Sequence, residues 1–245
     1  MKEIFTTGTS VSKLTPASDL DLIVILDKNS EGIKSVFTTI GNHFSDVFFF
    51  DVDFLNQLSK KREVLGNTFD GMFVAWLSTS EIAYDTEHLL RNLKEKIAAS
   101  HFTQKVSDVE KTDVWVKTNY NFIANSRYYN AGDKLYRRAL ELRLLYSVSE
   151  LIMAYFSFRG MPWRGEKAAV RYFEEHDKKF LETFRKYSAS GSLEKKMKYY
   201  RALFAKVFFG TYRRWEKGFI VPISNVGNRF DPGLRRFWSE LIGGA

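Results

Sequence analysis

Cysteine is absent from the 245 residues, which excludes a disulfide scaffold, a cysteine-ligated zinc site and thiol catalysis. Histidine is sparse: His43, His88, His101 and His176 lie far apart, with no His-x-x-x-His pair to hold a transition metal. Long hydrophobic runs are missing too. Runs such as Leu22 to Leu26 and Val47 to Phe50 are far too short to span a bilayer. Neither the Gly-Lys-Ser/Thr of a Walker loop nor the Gly-x-Gly-x-x-Gly of a Rossmann turn occurs. Met1-Lys2-Glu3-Ile4 leads straight into a strand-like stretch without an apolar signal core. A soluble, cytoplasmic protein is the expectation, with no membrane partner.

What is present is core-forming material. The chain is 44% hydrophobic and 16% aromatic, which excludes a disordered reading. Charge is uneven along it. Residues 1–107 hold 11 Lys/Arg and 14 Asp/Glu, a balance of −3. Residues 108–245 hold 26 and 15, a balance of +11, within an overall +8. The asymmetry suggests two modules, the second able to meet a polyanion.

The first hundred residues alternate strand and helix signals. Glu3 to Thr7 and the run Leu20 to Leu26 read as strands, the second buried on both faces. A helix is expected from Glu31 to about His43, behind a turn and N-cap in Asp27-Lys28-Asn29-Ser30. Val47 to Val52 reads as a strand, Leu55 to Leu65 as weakly helical, Glu81 to Tyr84 as a short strand and Thr86 to Ala99 as a helix. Such alternation makes an α/β domain.

Beyond residue 107 the signal is helical. Leu135, Ala139, Leu142, Leu145, Val148, Ile152 and Tyr155 recur as one stripe of a long amphipathic helix, ended by Gly160 and Pro162. Shorter helices follow over Glu166 to His176 and Phe180 to Tyr187, then a long one over Leu193 to Trp215 and an irregular tail. The aromatic residues of these helices read as core. The domains divide as 1–105 and 106–245.

Chemistry concentrates in Gly8-Thr9-Ser10 and in Ser18-Asp19-Leu20-Asp21-Leu22. Asp19 and Asp21 are two apart at the start of a strand, so their side chains leave one face, about 6.6 Å apart along it. Both carboxylates can lean on one divalent ion, and without a cation the pair repels itself. Gly8 lets the backbone approach a ligand, and the hydroxyls of Thr9 and Ser10 can hold phosphate oxygens.

The stretch Thr-Gly-Thr-Ser-Val-Ser-Lys-Leu-Thr-Pro-Ala-Ser-Asp-Leu-Asp-Leu-Ile-Val resembles the nucleotidyltransferase fold of the DNA polymerase beta superfamily. That signature is an apolar residue, Gly, Ser or Gly, about ten residues, then Asp-x-Asp on a strand. The chain looks most like small bacterial and archaeal members with a C-terminal helical domain, and is similar to aminoglycoside adenylyltransferases. Thr9 stands where the family's serine usually is. The resemblance implies an α/β (α+β) nucleotidyltransferase domain with a short mixed sheet, followed by an all-α helical bundle.

It also implies the chemistry. Asp19 and Asp21 would hold Mg²⁺ (or Mn²⁺) on a nucleoside triphosphate, with ATP expected as the AMP donor. A third carboxylate from a neighbouring strand would complete the metal and catalytic set. Asp46, in Ser45-Asp46-Val47-Phe48-Phe49, ranks first for it, followed by Asp51 and Asp53, whose positions also suit a helix N-cap. Gly8, Thr9 and Ser10 would contact phosphates, as would Arg164 and Lys167 from Trp163-Arg164-Gly165-Glu166-Lys167. Lys134, Arg137 and Arg138 are weaker candidates.

The acceptor would be a hydroxyl of a small molecule or a protein. RNA end modification is the alternative among enzymes, resting on the basic second half, although a nucleic-acid partner is not favoured. A non-catalytic, antitoxin-like binding module with the same fold is the alternative outside enzymes.

Overall fold

The computed structural model describes residues 2–7, 15, 18–99 and 102–216, with only the backbone of residue 103. Two compact units divide at residues 105 and 106. The first contains β1 (Glu3–Thr7), β2 (Leu20–Leu26), β3 (Ser35–Ile40), β4 (His43–Asp51), α1 (Val52–Ser59), β5 (Glu63–Leu65), α2 (Phe69–Ser78), β6 (Glu81–Asp85), α3 (Leu89–Ala98) and β7 (Thr103–Lys105). The second contains α4 (Asp108–Asn130), α5 (Lys134–Phe158), α6 (Glu166–His176), α7 (Lys178–Ser188) and α8 (Leu193–Val207). The expected order, a short mixed sheet with helices and then helices alone, is what the chain forms. No helix among the described residues is long and apolar enough to cross a membrane.

The main sheet runs β3-β4-β2-β1-β6, and β5 pairs with β7 in a second, two-stranded sheet. Within the main sheet β2 and β4 are parallel and the other neighbours antiparallel. One face is covered by helices. Phe5, Ile23, Ile25 and Phe50 point into it and are buried with Leu55, Leu58, Phe73, Leu77 and Leu90 from α1, α2 and α3. Phe73 meets Phe5 edge to face at 5.5 Å and Phe50 at 4.9 Å, the geometry that aromatic quadrupoles favour. Gly71 lets α2 close onto the turn before it, since a Cβ there would lie 2.2 Å from the Leu65 carbonyl oxygen.

The helix expected over Glu31 to His43 is instead an extended strand and turn. Val36 to Ile40 is β-branched or aromatic throughout, and Gly41, at φ 60°, supplies the left-handed backbone of the tight turn into β4. Strand β4 therefore begins at His43, so Asp46 lies inside the strand rather than at its opening. Leu55 to Leu65 divides into the end of α1 and strand β5, and α2 occupies a stretch for which no element was expected.

Two corrections apply to the helical unit. The α5 core face is Leu140, Leu144, Val148, Leu151, Tyr155 and Phe158, whereas Leu135, Leu142 and Leu145 are exposed. Two apolar stripes compete on this helix. The buried one is selected by the partners on α8, including Met197, Tyr200, Leu203 and Phe204. The helix from Leu193 stops at Val207, not Trp215, and a β-bridge between Phe209 and Tyr212 closes a turn at Gly210, φ 61°. Tyr155, Phe156, Phe158, Tyr200 and Phe204 are core, as expected, but Phe209 is exposed. The α4–α5 register is fixed by polar groups: Arg143 donates to the Asn125 and Asn121 carbonyls, both at 2.9 Å, and Asn125 donates to Ser147 Oγ at 3.1 Å.

Helix α3 starts in an unusual way. His88, its N-cap, has φ 57° and makes no side-chain cap. The open N–H groups are taken by carboxylates from the sheet: Leu89 donates to Glu3, Leu90 and Arg91 to Asp85. Glu3 and Asp85 are direct cross-strand partners and both side chains are buried. Burial first, then the neighbouring Asp85 carboxylate, push Glu3 up to about 7.

Two tests follow from this packing. Leu144→Ala should cost about 2–5 kcal/mol, while Leu145→Ala, one residue away, should stay within about 0.5 kcal/mol in chemical denaturation. For Glu3, the folded state binds the proton more tightly than the unfolded chain, whose glutamate titrates at about 4.3. Stability should therefore fall as pH rises from about 4.3 through about 7. Glu3→Gln should flatten that fall and melt higher than the parent at pH 8; an unchanged pH profile would contradict a shared proton.

Candidate active site

The strand register assembles the site. Asp21 on β2 is the cross-strand partner of Asp46 on β4, and on the other side Asp21 pairs with Thr7 of β1. Direct partners share a face, so Thr7, Asp21 and Asp46 form one row across three strands. Asp19, two residues before Asp21, belongs to the same face. Hydrophobic burial dictates the register: the next two pairs along the same face are Ile23 with Phe48 and Ile25 with Phe50. The carboxylates thus sit where the helix-covered face ends, just past Trp76, whose ring packs on Phe48 at 4.8 Å and whose carbonyl accepts from Thr7 Oγ1 at 3.3 Å.

Electrostatics mark Asp46. Its Oδ1 is buried and has no hydrogen-bond partner among the described residues. Burial first, then the negative charge of Asp19, hold its carboxyl above its ordinary value. Asp19, Asp21 and Asp46 are partly exposed, so solvent reaches the row. A buried acceptor without a donor, beside like charge, is the ligand chemistry that a divalent cation satisfies, and Asp46 fits one on that ground. As they stand they are adjacent but not gathered: no three His, Cys, Asp or Glu side chains among the described residues are close enough together to hold a metal ion.

The competitors for the third position are engaged elsewhere. Asp51 caps α1, its Oδ1 accepting from Phe54 N at 2.9 Å, and Asp53 is exposed in the first turn of that helix. Gly8, Thr9 and Ser10 lie outside the described residues. Arg164 and Lys167 belong to the helical unit, exposed on the segment before α6 and in its first turn. Arg137 pairs with Glu194 at 2.5 Å, and Lys134 and Arg138 are exposed on α5.

Reading the sequence missed two residues on this face. Phe37 is the cross-strand partner of Asp46 on its far side, and Phe44 stands two residues before Asp46. The unbroken β-branched and aromatic run from Val36 to Ile40, followed by Gly41-Asn42, was the signal that could have placed them on a strand.

No family profile and no curated protein matches the chain. Among solved structures, a nucleotidyltransferase-like protein from Exiguobacterium sibiricum 255-15 is similar at 13% identity and a TM-score of 0.39. The match covers 84% of this chain and 68% of that one. Agreement at that level carries no argument about the site, which stands on its own residues.

Asp46 and Asp51 should separate in a stability measurement without metal. Asp46→Asn removes a carboxylate raised in the fold, so it should melt higher than the parent at pH 8 and lose that advantage near pH 3, where both states are protonated. Asp51→Ala should instead cost about 1 kcal/mol through the lost cap. A destabilised Asp46→Asn at pH 8 would show that its charge is paired within the fold.

Proposed function

We propose that the chain is a nucleotidyltransferase that moves AMP from ATP onto a hydroxyl of a small-molecule or protein acceptor. The observation that carries this reading is the row of carboxylates on one sheet face, with Asp21 opposite Asp46 and a buried, unpartnered oxygen on Asp46. Like charges at the end of an apolar face are costly unless a cation or proton joins them. An Asp-x-Asp at the start of a strand buried on one face, with a third Asp on the parallel neighbour, supports the likeness to the DNA polymerase beta superfamily.

In this reading Asp19, Asp21 and Asp46 would hold Mg²⁺ or Mn²⁺. Such an ion, when bound, neutralises triphosphate charge and stabilises the departing pyrophosphate. The chain's own residues bind, orient and accept a proton. The acceptor oxygen bonds to the α-phosphorus as the bond from that phosphorus to the bridging oxygen breaks. The proton of the attacking hydroxyl would pass to Asp46 as general base. Gly8, Thr9 and Ser10 would hold phosphate oxygens. The balance of +11 in residues 108–245 favours an anionic ligand on that half, and RNA is the acceptor class it would suit best after small molecules and proteins.

Labelled ATP incubated with the protein, Mg²⁺ and a cell extract should pass its α-phosphate to an acceptor. Asp19→Asn, Asp21→Asn and Asp46→Asn should each lower transfer by orders of magnitude without unfolding the chain. Asp51→Asn, which keeps a good cap, should leave transfer intact. Loss of transfer with Asp51→Asn but not Asp46→Asn would move the third ligand. A chain that neither transfers label nor is thermally stabilised by any nucleoside triphosphate with Mg²⁺ would be a binding module instead.

A further inference from the structure

Two phenylalanines on β3 and β4 stand outside both hydrophobic cores. Phe37 is 65% exposed and Phe44 58% exposed. Their rings are parallel to within 7°, with centroids 6.3 Å apart. β3 is the edge strand of the sheet, and every residue from Val36 to Ile40 is exposed, so these rings are not the margin of a core. A stacked, exposed aromatic pair offers a flat apolar surface on which a planar ligand can lie.

Their position says what binds. Phe37 is the direct partner of Asp46, extending the row Thr7, Asp21, Asp46 by one strand. Phe44 precedes Asp46 by two residues, which keeps it on the same face, about 6.6 Å further along the strand. Asp19 and Phe44 directly precede the partners Leu20 and Ser45, and His43 Nδ1 lies 3.1 Å from the Ser18 carbonyl oxygen beside them. Phe44 is therefore level with Asp19. The aromatic pair and the carboxylates are neighbours on one surface.

We propose that Phe37 and Phe44 are the nucleobase seat of the site: the planar base stacks on their rings while the phosphates lie over Asp19, Asp21 and Asp46. This rests on the nucleotidyltransferase reading. Only the ribose separates base from phosphates in a nucleotide, and one strand spacing separates the rings from the carboxylates. Phenyl rings offer no hydrogen-bond donor or acceptor, so the seat recognises the flat face of a base and discriminates weakly among bases.

The test compares Mg²⁺·ATP with Mg²⁺·tripolyphosphate, which has the phosphates without the base, by equilibrium binding to the full chain. The parent should bind ATP about tenfold more tightly or better, the gain typical of one stacked base. The double variant Phe37→Leu/Phe44→Leu, apolar but not flat, should bring that ratio towards one while leaving tripolyphosphate affinity unchanged. Phe37→Tyr/Phe44→Tyr should restore it. Equal affinity of the parent for both ligands would overturn the seat and leave the nucleotidyltransferase reading standing. So would an ATP preference that survives the leucine variant, or a leucine variant that only converts a dimer to a monomer in sedimentation. A parent that binds neither ligand would overturn both.

Discussion

The pairing of β2 with β4 is the constraint on which the site depends. Ile23 against Phe48 and Ile25 against Phe50 bury apolar side chains under α1, α2 and α3. Each such burial is worth about 1.5–3 kcal/mol. A slip of one residue would turn this whole set to the opposite face, so the register is held by hydrophobic burial. The same register forces Asp21 and Asp46 side by side, although their charges oppose it. Apolar energy at one end of the strands holds a strained electrostatic arrangement at the other.

The helix-covered face carries carboxylates at both ends, and the two ends are handled differently. At one end Glu3 and Asp85 are buried together, and the N–H groups opening α3 donate to their carboxylates. A proton held near neutrality relieves the rest. At the other end Asp46 keeps a buried oxygen without a donor among the described residues, and Asp19 adds to its charge load. One cluster is met by the α3 N–H groups and a proton, with Glu3 Oε2 the one buried oxygen there that has no hydrogen-bond partner among the described residues. The other has the chemistry of a site that a ligand completes.

Much of this was legible in the sequence. Strands Glu3–Thr7 and Leu20–Leu26 and helix Glu166–His176 have the bounds that their residues suggest, because continuous β-branched runs and a glycine-preceded helix start are local signals. The cap role open to Asp51 was legible for the same reason. What failed was non-local. Val36 to Ile40 becomes a strand because β4 lies beside it, and a helical cap signal at Asn29-Ser30 competes with that pairing. On α5 two apolar stripes satisfy the helical period, and only the partners on α8 decide that Leu144 is buried and Leu145 is not. Phe37 and Phe44 escaped notice because their place beside Asp46 is a property of register, which spacing along one strand does not reveal.

Anomalous diffraction from crystals grown with Mn²⁺ and a non-hydrolysable ATP analogue tests the central claim most directly. The account predicts a manganese peak bridging triphosphate oxygens and the carboxylates of Asp19, Asp21 and Asp46. An ordered nucleotide whose manganese touches none of these three residues, or manganese held only at other carboxylates, would contradict it.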